Sequence, residues 1–226
     1  MKKDLLIVSC TPHSSSDDTI LSKTVWMYKF NRRGQQVDVE FVTNNTKGLS
    51  EQYNRFLRDK DVVNTYHTVL FVHDDVELED NRLIDKLIAS PYDVTGLAGA
   101  KTFNKKSLDL AWHLAAPRKD YVGEVAHCNK EGNVWTTVFG PTKSRAVILD
   151  GLFLAVKPNV LKEKGLEFDE DFGFHFYDIA FCLRANKKRV TCGVLPIRVV
   201  HHGLGDSMYS EDWKLTNIKF KEKYCI

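Results

Sequence analysis

The chemistry of this chain concentrates at three short stretches. His73-Asp74-Asp75 directly follows Val69-Leu70-Phe71-Val72, an apolar run rich in β-branched residues. Two adjacent carboxylates at the end of a buried strand repel each other, and partial loss of solvent raises the cost. A divalent cation removes that cost. Carboxylate oxygen suits magnesium or manganese, which keep some waters and take phosphate oxygens from a ligand. The competing structural role is an acidic helix N-terminus, since Asp74, Asp75, Glu77, Glu79 and Asp80 all precede a helical pattern.

The second stretch is Phe174-His175-Phe176-Tyr177-Asp178, after which Ile179, Cys182 and Leu183 recur at helical spacing. Asp178 would sit in the first helical turn, where the dipole favours its ionised form. An ionised carboxylate at a cleft edge can act as a general base. A helix cap or a salt bridge to Arg184 is the plainer alternative. The third stretch is Val199-Val200-His201-His202, bordered by Gly203 and Gly205. Neutral imidazole is a good ligand for manganese or zinc. A structural histidine pair is the other reading.

These groups need elements to hold them. Leu5–Val8 reads as a strand stopped by Thr11-Pro12. Asp17 or Asp18 can cap a helix running to about Arg33, ended by Gly34. Val37–Val42 is a second strand, and Ser50 caps a helix to about Lys60. Val69–Val72 is a third strand, apolar throughout as expected when both faces are covered. A helix from Asp80 to Ala89 and a strand from Val94 to Ala98 follow. This alternation argues for a parallel sheet flanked by helices. Residues 101–145 predict irregular or antiparallel structure. Beyond them come a strand Ile148–Val156 containing Asp150-Gly151, a helix Tyr177–Lys187, a strand Val190–Leu195 and a terminal helix Ser210–Tyr224.

In open α/β sheets ligands bind beyond the carboxyl ends of the strands. That singles out Thr11-Pro12, Thr43-Asn44-Asn45, His73-Asp74-Asp75 and Gly99-Ala100-Lys101. The first two are small and polar, suited to a base and a ribose. Trp112, Trp135 and Tyr121 offer aromatic faces for sugar rings, with core packing as the alternative.

Bulk properties exclude several classes. The chain has 226 residues, enough for one full core. A net charge of +2, with Lys and Arg dispersed, speaks against a nucleic-acid partner. Five cysteines without a CxxC spacing fit a reducing compartment, and no apolar run suggests a leader or a membrane span. The expectation is a cytoplasmic protein.

The motifs occur in an order that resembles the family-2-type glycosyltransferases of the GT-A fold, in particular a small glycosyltransferase-like group with a Phe-Val-His-x-Asp-Val signature. The resemblance rests on Gly48-Leu49-Ser50-Glu51-Gln52-Tyr53-Asn54, Leu70 through Val76, Asp150 through Val156, Phe168-Asp169-Glu170 through Asp178 to Arg184, and Val200-His201-His202. It implies one GT-A domain over residues 1–226. Residues 1–100 form the nucleotide-binding half, 101–205 the acceptor side, and 206–226 a C-terminal helix. It also implies a nucleotide-diphospho-sugar donor (UDP-sugar favoured), a divalent metal, and transfer of a hexosyl or deoxyhexosyl group to a hydroxyl of a glycan or other acceptor.

Asp75 matches the second aspartate of the family's Asp-x-Asp motif. Asp74 falls on its variable middle position, and His73 stands where many members have Asp or Asn. Asp178 matches the second residue of a Glu-Asp pair that supplies the base in inverting members; Tyr177 replaces the Glu. His201 or His202 matches a further metal or phosphate ligand. Thr11, Pro12, Asn44, Asn54, His73, Asp74 and Lys101 fall on the donor side. Asp150, Gly151, Trp112 and His175 fall on the acceptor and sugar side. Inversion is favoured because no enzymic nucleophile for double displacement stands out. A metal-dependent phosphoester hydrolase and a non-catalytic sugar-nucleotide-binding module are the rival readings.

Overall fold

The computed structural model describes residues 2–30, 34–203 and 209–225. Residues 31–33, where the first predicted helix was to end, and Gly205 lie outside the described residues.

Two sheets share one core. The larger contains β2 (Val37–Val42), β1 (Lys3–Cys10), β3 (Tyr66–Val72), β11 (Phe153–Val156), β5 (Val94–Gly96), β12 (Cys192–Val194) and β9 (Ser144–Ala146), in that order. The smaller contains β10 (Ile148–Leu149), β6 (Ala98–Ala100), β7 (Tyr121–Cys128), β13 (Val199–His201) and β4 (Val76–Leu78), with β8 (Val134–Val138) paired to β7. The helices are α1 (Ser22–Lys29), α2 (Leu49–Arg58), α3 (Lys60–Thr65), α4 (Leu83–Ile88), α5 (Pro158–Glu163), α6 (Tyr177–Lys187) and α7 (Glu211–Tyr224). None of them is long and apolar enough to cross a membrane.

The expected parallel sheet is only partly present. β1, β2 and β3 run parallel, as do β5 and β12. β11 enters antiparallel between β3 and β5. Hydrophobic runs mark strands without giving their direction, which is why the mixed pairing was not foreseen. The interior strand β3 has Val69, Leu70, Phe71 and Val72 at zero exposure, as its unbroken apolar run required.

Several boundaries differ from expectation for local reasons. Asp17 and Asp18 lie in a single 3₁₀ turn capped by Ser15, and α1 starts at Ser22, whose N–H donates to Thr19 Oγ1. Gly48, not Ser50, is the N-cap of α2, and Ser50 Oγ donates to the Phe172 carbonyl at 2.6 Å. The predicted strand 94–98 passes from one sheet to the other at Leu97. The predicted strand 148–156 breaks at Asp150-Gly151-Leu152 into β10 and β11. The acidic run after His73 is not a helix N-terminus: β4 intervenes, and α4 begins only at Leu83.

These crossings set the site. β3 lies in the large sheet and β4 in the small one, and the three residues between them are His73-Asp74-Asp75. β10 lies in the small sheet and β11 in the large one, and the residues between are Asp150-Gly151-Leu152. The two connections abut, with His73 N–H donating to the Leu152 carbonyl at 3.1 Å. The functional residues therefore collect on the seam between the sheets.

Candidate active site

A cleft of about 810 Å³ opens along this seam. Its walls include His73, Asp75, Asp150, Gly151, Tyr177, Asp178 and His201, with Trp112, Trp135, His127, Phe174, His175 and Trp213 around them.

His201 comes into the cleft because β13 pairs antiparallel with β4, setting His201 opposite Val76. Its Nε2 lies 3.4 Å from Asp75 Oδ2. His73, Asp75 and His201 each offer one ligand atom, all within 4.8 Å of one another. Their electrostatics interlock. Burial pulls the His73 imidazole below its usual range, only partly offset by the Asp75 carboxylate. That favours the neutral ring a metal needs. Burial pushes Asp75 up, but the hydrogen bond from His201 and the neighbouring imidazoles win and hold it below the ordinary carboxylate range. Burial pushes His201 down, and Asp75 overcomes it, so His201 ends above its usual value. A cation bound here would take the place of the His201–Asp75 contact.

Three observations fit a divalent metal here. Asp75 Oδ1 is buried without a hydrogen-bond partner, a costly state unless a cation supplies the missing interaction. The backbone passes so close that a Cβ at Gly203 would lie 2.4 Å from Asp75 Oδ2 and 2.6 Å from His201 Nε2. The donor set is two imidazole nitrogens and one carboxylate oxygen, a mixture that suits manganese better than magnesium. His202 does not join. It turns away, with Nε2 3.2 Å from Glu77 Oε2.

Asp178 stands in the first turn of α6. Phe176 immediately before it has φ 63°, a left-handed conformation that costs a bulky residue energy. Its ring is held against Trp213 at 5.2 Å and Phe220 at 5.4 Å. Asp178 Oδ2 accepts from Gly151 N–H at 2.9 Å, and Oδ1 from Ile179 N–H at 2.8 Å. The expectation that the helix dipole keeps it ionised needs correction. Burial, with the Asp150 charge adding to it, pushes its carboxyl up to about 7, and the backbone hydrogen bonds do not compensate. It makes no pair with Arg184, which faces Asp169 at 3.8 Å. A carboxyl poised near neutrality is well matched to proton abstraction.

Asp150 accepts from Trp112 Nε1 at 2.8 Å and from Leu152 N–H at 3.1 Å. Trp112 is thus pinned at the cleft wall by its polar end. Trp135 is 45% exposed and stacks on His127, centroids 5.6 Å apart. Tyr121 packs edge-on to Trp112 and donates to the His113 carbonyl. His175 lines the cleft, 3.6 Å from Asp212.

Other predicted donor-side residues sit elsewhere. Thr11 is buried, its carbonyl accepting from Asn45 N–H, while Pro12 and Asn44 are exposed beside it. Asn44 has φ 51°, and its N–H donates to the His13 carbonyl. Asp74 is half-buried near Cys10, and Lys101 is exposed at the end of β6. None of these is part of the cleft wall. Asn54 is fully buried and spends its amide on Phe168 and Glu170, so it braces α2 rather than facing a ligand. Sequence reasoning missed His127 and the role of Gly203; only the position of Gly203 directly after the histidine pair hinted at a close backbone approach.

Residues 16–224 match the glycosyltransferase-like family. The chain belongs to that family. Solved structures agree on the architecture. One is GalNAc-T7 with UDP, GalNAc and Mn2+, at TM-score 0.58 and 12% identity, aligned over 97% of this chain and 48% of that one. The glycosyltransferase-like chain thus spans about half of that protein's length. Another is A197 from STIV, at TM-score 0.50 and 12% identity, aligned over 87% of this chain and 82% of that one. A search of curated proteins by sequence finds no match. The fold is GT-A, with the mixed sheet described above.

Proposed function

We propose that this protein is a metal-dependent, inverting glycosyltransferase that moves a sugar from a nucleotide-diphospho-sugar to a hydroxyl of a glycan or similar acceptor. The observation that carries the reading is convergence: the His73-Asp75-His201 trio and a carboxyl tuned to about 7 at Asp178 line one cleft.

Each group has a task in such a transfer. A manganese ion at the trio would neutralise charge building on the diphosphate leaving group. Asp178, deprotonated, takes the proton of the acceptor hydroxyl, and the Gly151 N–H on its Oδ2 keeps the carboxylate oriented. Asp150, fixed by Trp112 and by Leu152 N–H, offers a carboxylate edge to sugar hydroxyls. Trp135 gives the rim an aromatic face for a sugar ring. Attack from the Asp178 side inverts the anomeric carbon. A UDP-sugar donor of the hexose or deoxyhexose class accords with GalNAc-T7, whose structure contains UDP, GalNAc and Mn2+. Five free cysteines support a reducing, cytoplasmic location.

The test is a transfer screen of nucleotide sugars against glycan acceptors with manganese, read by mass spectrometry. Asp178→Asn is expected to lower transfer by about 10² to 10⁴ while retaining donor binding. Unchanged turnover in that variant overturns the base assignment. Phosphate or nucleoside monophosphate release without sugar transfer marks a hydrolase instead.

A further inference from the structure

Tyr177 stands where the resemblance led one to expect glutamate, and its hydroxyl is buried between two partners. It lies 2.7 Å from the Gly151 carbonyl and 2.9 Å from His73 Nε2. We infer that Tyr177 is a positioning residue: it fixes the tautomer of His73 and so decides which His73 nitrogen can bind the metal. The role rests on the metal site proposed above.

The argument is a count of protons. A phenol has one hydrogen to donate, and a carbonyl oxygen can only accept. The hydrogen therefore goes to Gly151, and the hydroxyl presents only lone pairs to His73. For the His73 contact to be a hydrogen bond, Nε2 must carry the ring proton. Nδ1 is then the nitrogen with a free lone pair, the one available to the cluster with Asp75 and His201. An outer partner that holds the non-ligating N–H of a histidine sets ring orientation and raises ligand strength.

The tyrosine is itself held rigidly. Its ring meets Tyr53 edge-on at 6.0 Å and Phe168 at 6.1 Å. Its grip on Gly151 is close, since a Cβ there would come within 2.4 Å of the phenol oxygen. The next residue, Asp178, takes the N–H of the same glycine. Tyr177 and Asp178 thus clamp Gly151 from both sides, and one turn of α6 ties the metal ligand His73 to the base.

Two measurements decide the point. In the metal-free parent protein, nitrogen NMR of the His73 ring should show Nε2 protonated and Nδ1 bare; a proton on Nδ1 overturns the inference. In Tyr177→Phe, checked for folding by circular dichroism, calorimetric titration with manganese should show affinity about 10- to 100-fold weaker than the parent. Equal affinity overturns it too. A parent that binds no manganese refutes the metal site and this role with it. A parent that binds manganese but transfers no sugar refutes the transferase reading alone and leaves the Tyr177 result standing.

Discussion

His201 Nε2 lies 3.4 Å from Asp75 Oδ2, brought there by the antiparallel pairing of β13 with β4. Its neighbour His202 points to Glu77 instead. The two histidines are thus predicted to behave differently. His201→Ala should abolish measurable manganese binding by calorimetry. His202→Ala should leave it within about twofold of the parent and cost no more than about 1 kcal/mol of stability, as loss of a partly exposed side-chain hydrogen bond does. Equal losses in both would contradict the assignment.

Asp178 predicts a pH dependence in two observables. Its carboxyl is raised from 3.8 to about 7, so the active, deprotonated form accumulates as pH rises through about 7. Transfer rate at saturating donor should climb over that range and level off above it. For stability the sign is opposite. A raised carboxyl contributes stability that is present below about 4 and lost as pH rises through about 7. Asp178→Asn should therefore gain stability relative to the parent between pH 5 and pH 8, by up to about 3 kcal/mol, since the rise to about 7 covers about two pH units of that window. Denaturant melts at the two pH values check this; a constant difference would show that Asp178 does not titrate there.

Asn54 predicts a structural effect where sequence motifs implied a binding one. Its side chain makes three hydrogen bonds, to the Phe168 carbonyl and N–H and to Glu170. Asn54→Ala leaves buried partners unpaired and should cost about 3 kcal/mol. Donor affinity of the folded variant should stay within about twofold of the parent. A large affinity loss with normal stability would return Asn54 to the binding site.

The legible part of this protein was what local pattern encodes. The helix expected from Tyr177 to about Lys187 spans Tyr177–Lys187, since its apolar spacing is regular and Asp178 marks its first turn. β3 and the acidic groups at its end were readable because an unbroken apolar run must be covered on both faces. The smaller sheet was legible only in part: irregular or antiparallel structure was expected over residues 101–145, where β7 and β8 pair antiparallel, but its short strands were not. β4 and β6 are three residues long and β10 only two, too short for any periodicity. Without that sheet, nothing showed that His201 would face Asp75 while His202 turned away. The raised state of Asp178 was also hidden, because the dipole is local whereas the burial and the Asp150 charge that defeat it come from distant sequence.

The central claim is that metal and sugar nucleotide share the seam. Its most direct test is calorimetric titration of nucleotide-diphospho-sugars into the parent protein, once with manganese and once with a chelator. The account predicts a donor whose affinity rises at least about tenfold with manganese, a gain of about 1.4 kcal/mol, and that Asp75→Asn abolishes the difference. Equal affinity with and without manganese, or no binding by any nucleotide sugar, would contradict it.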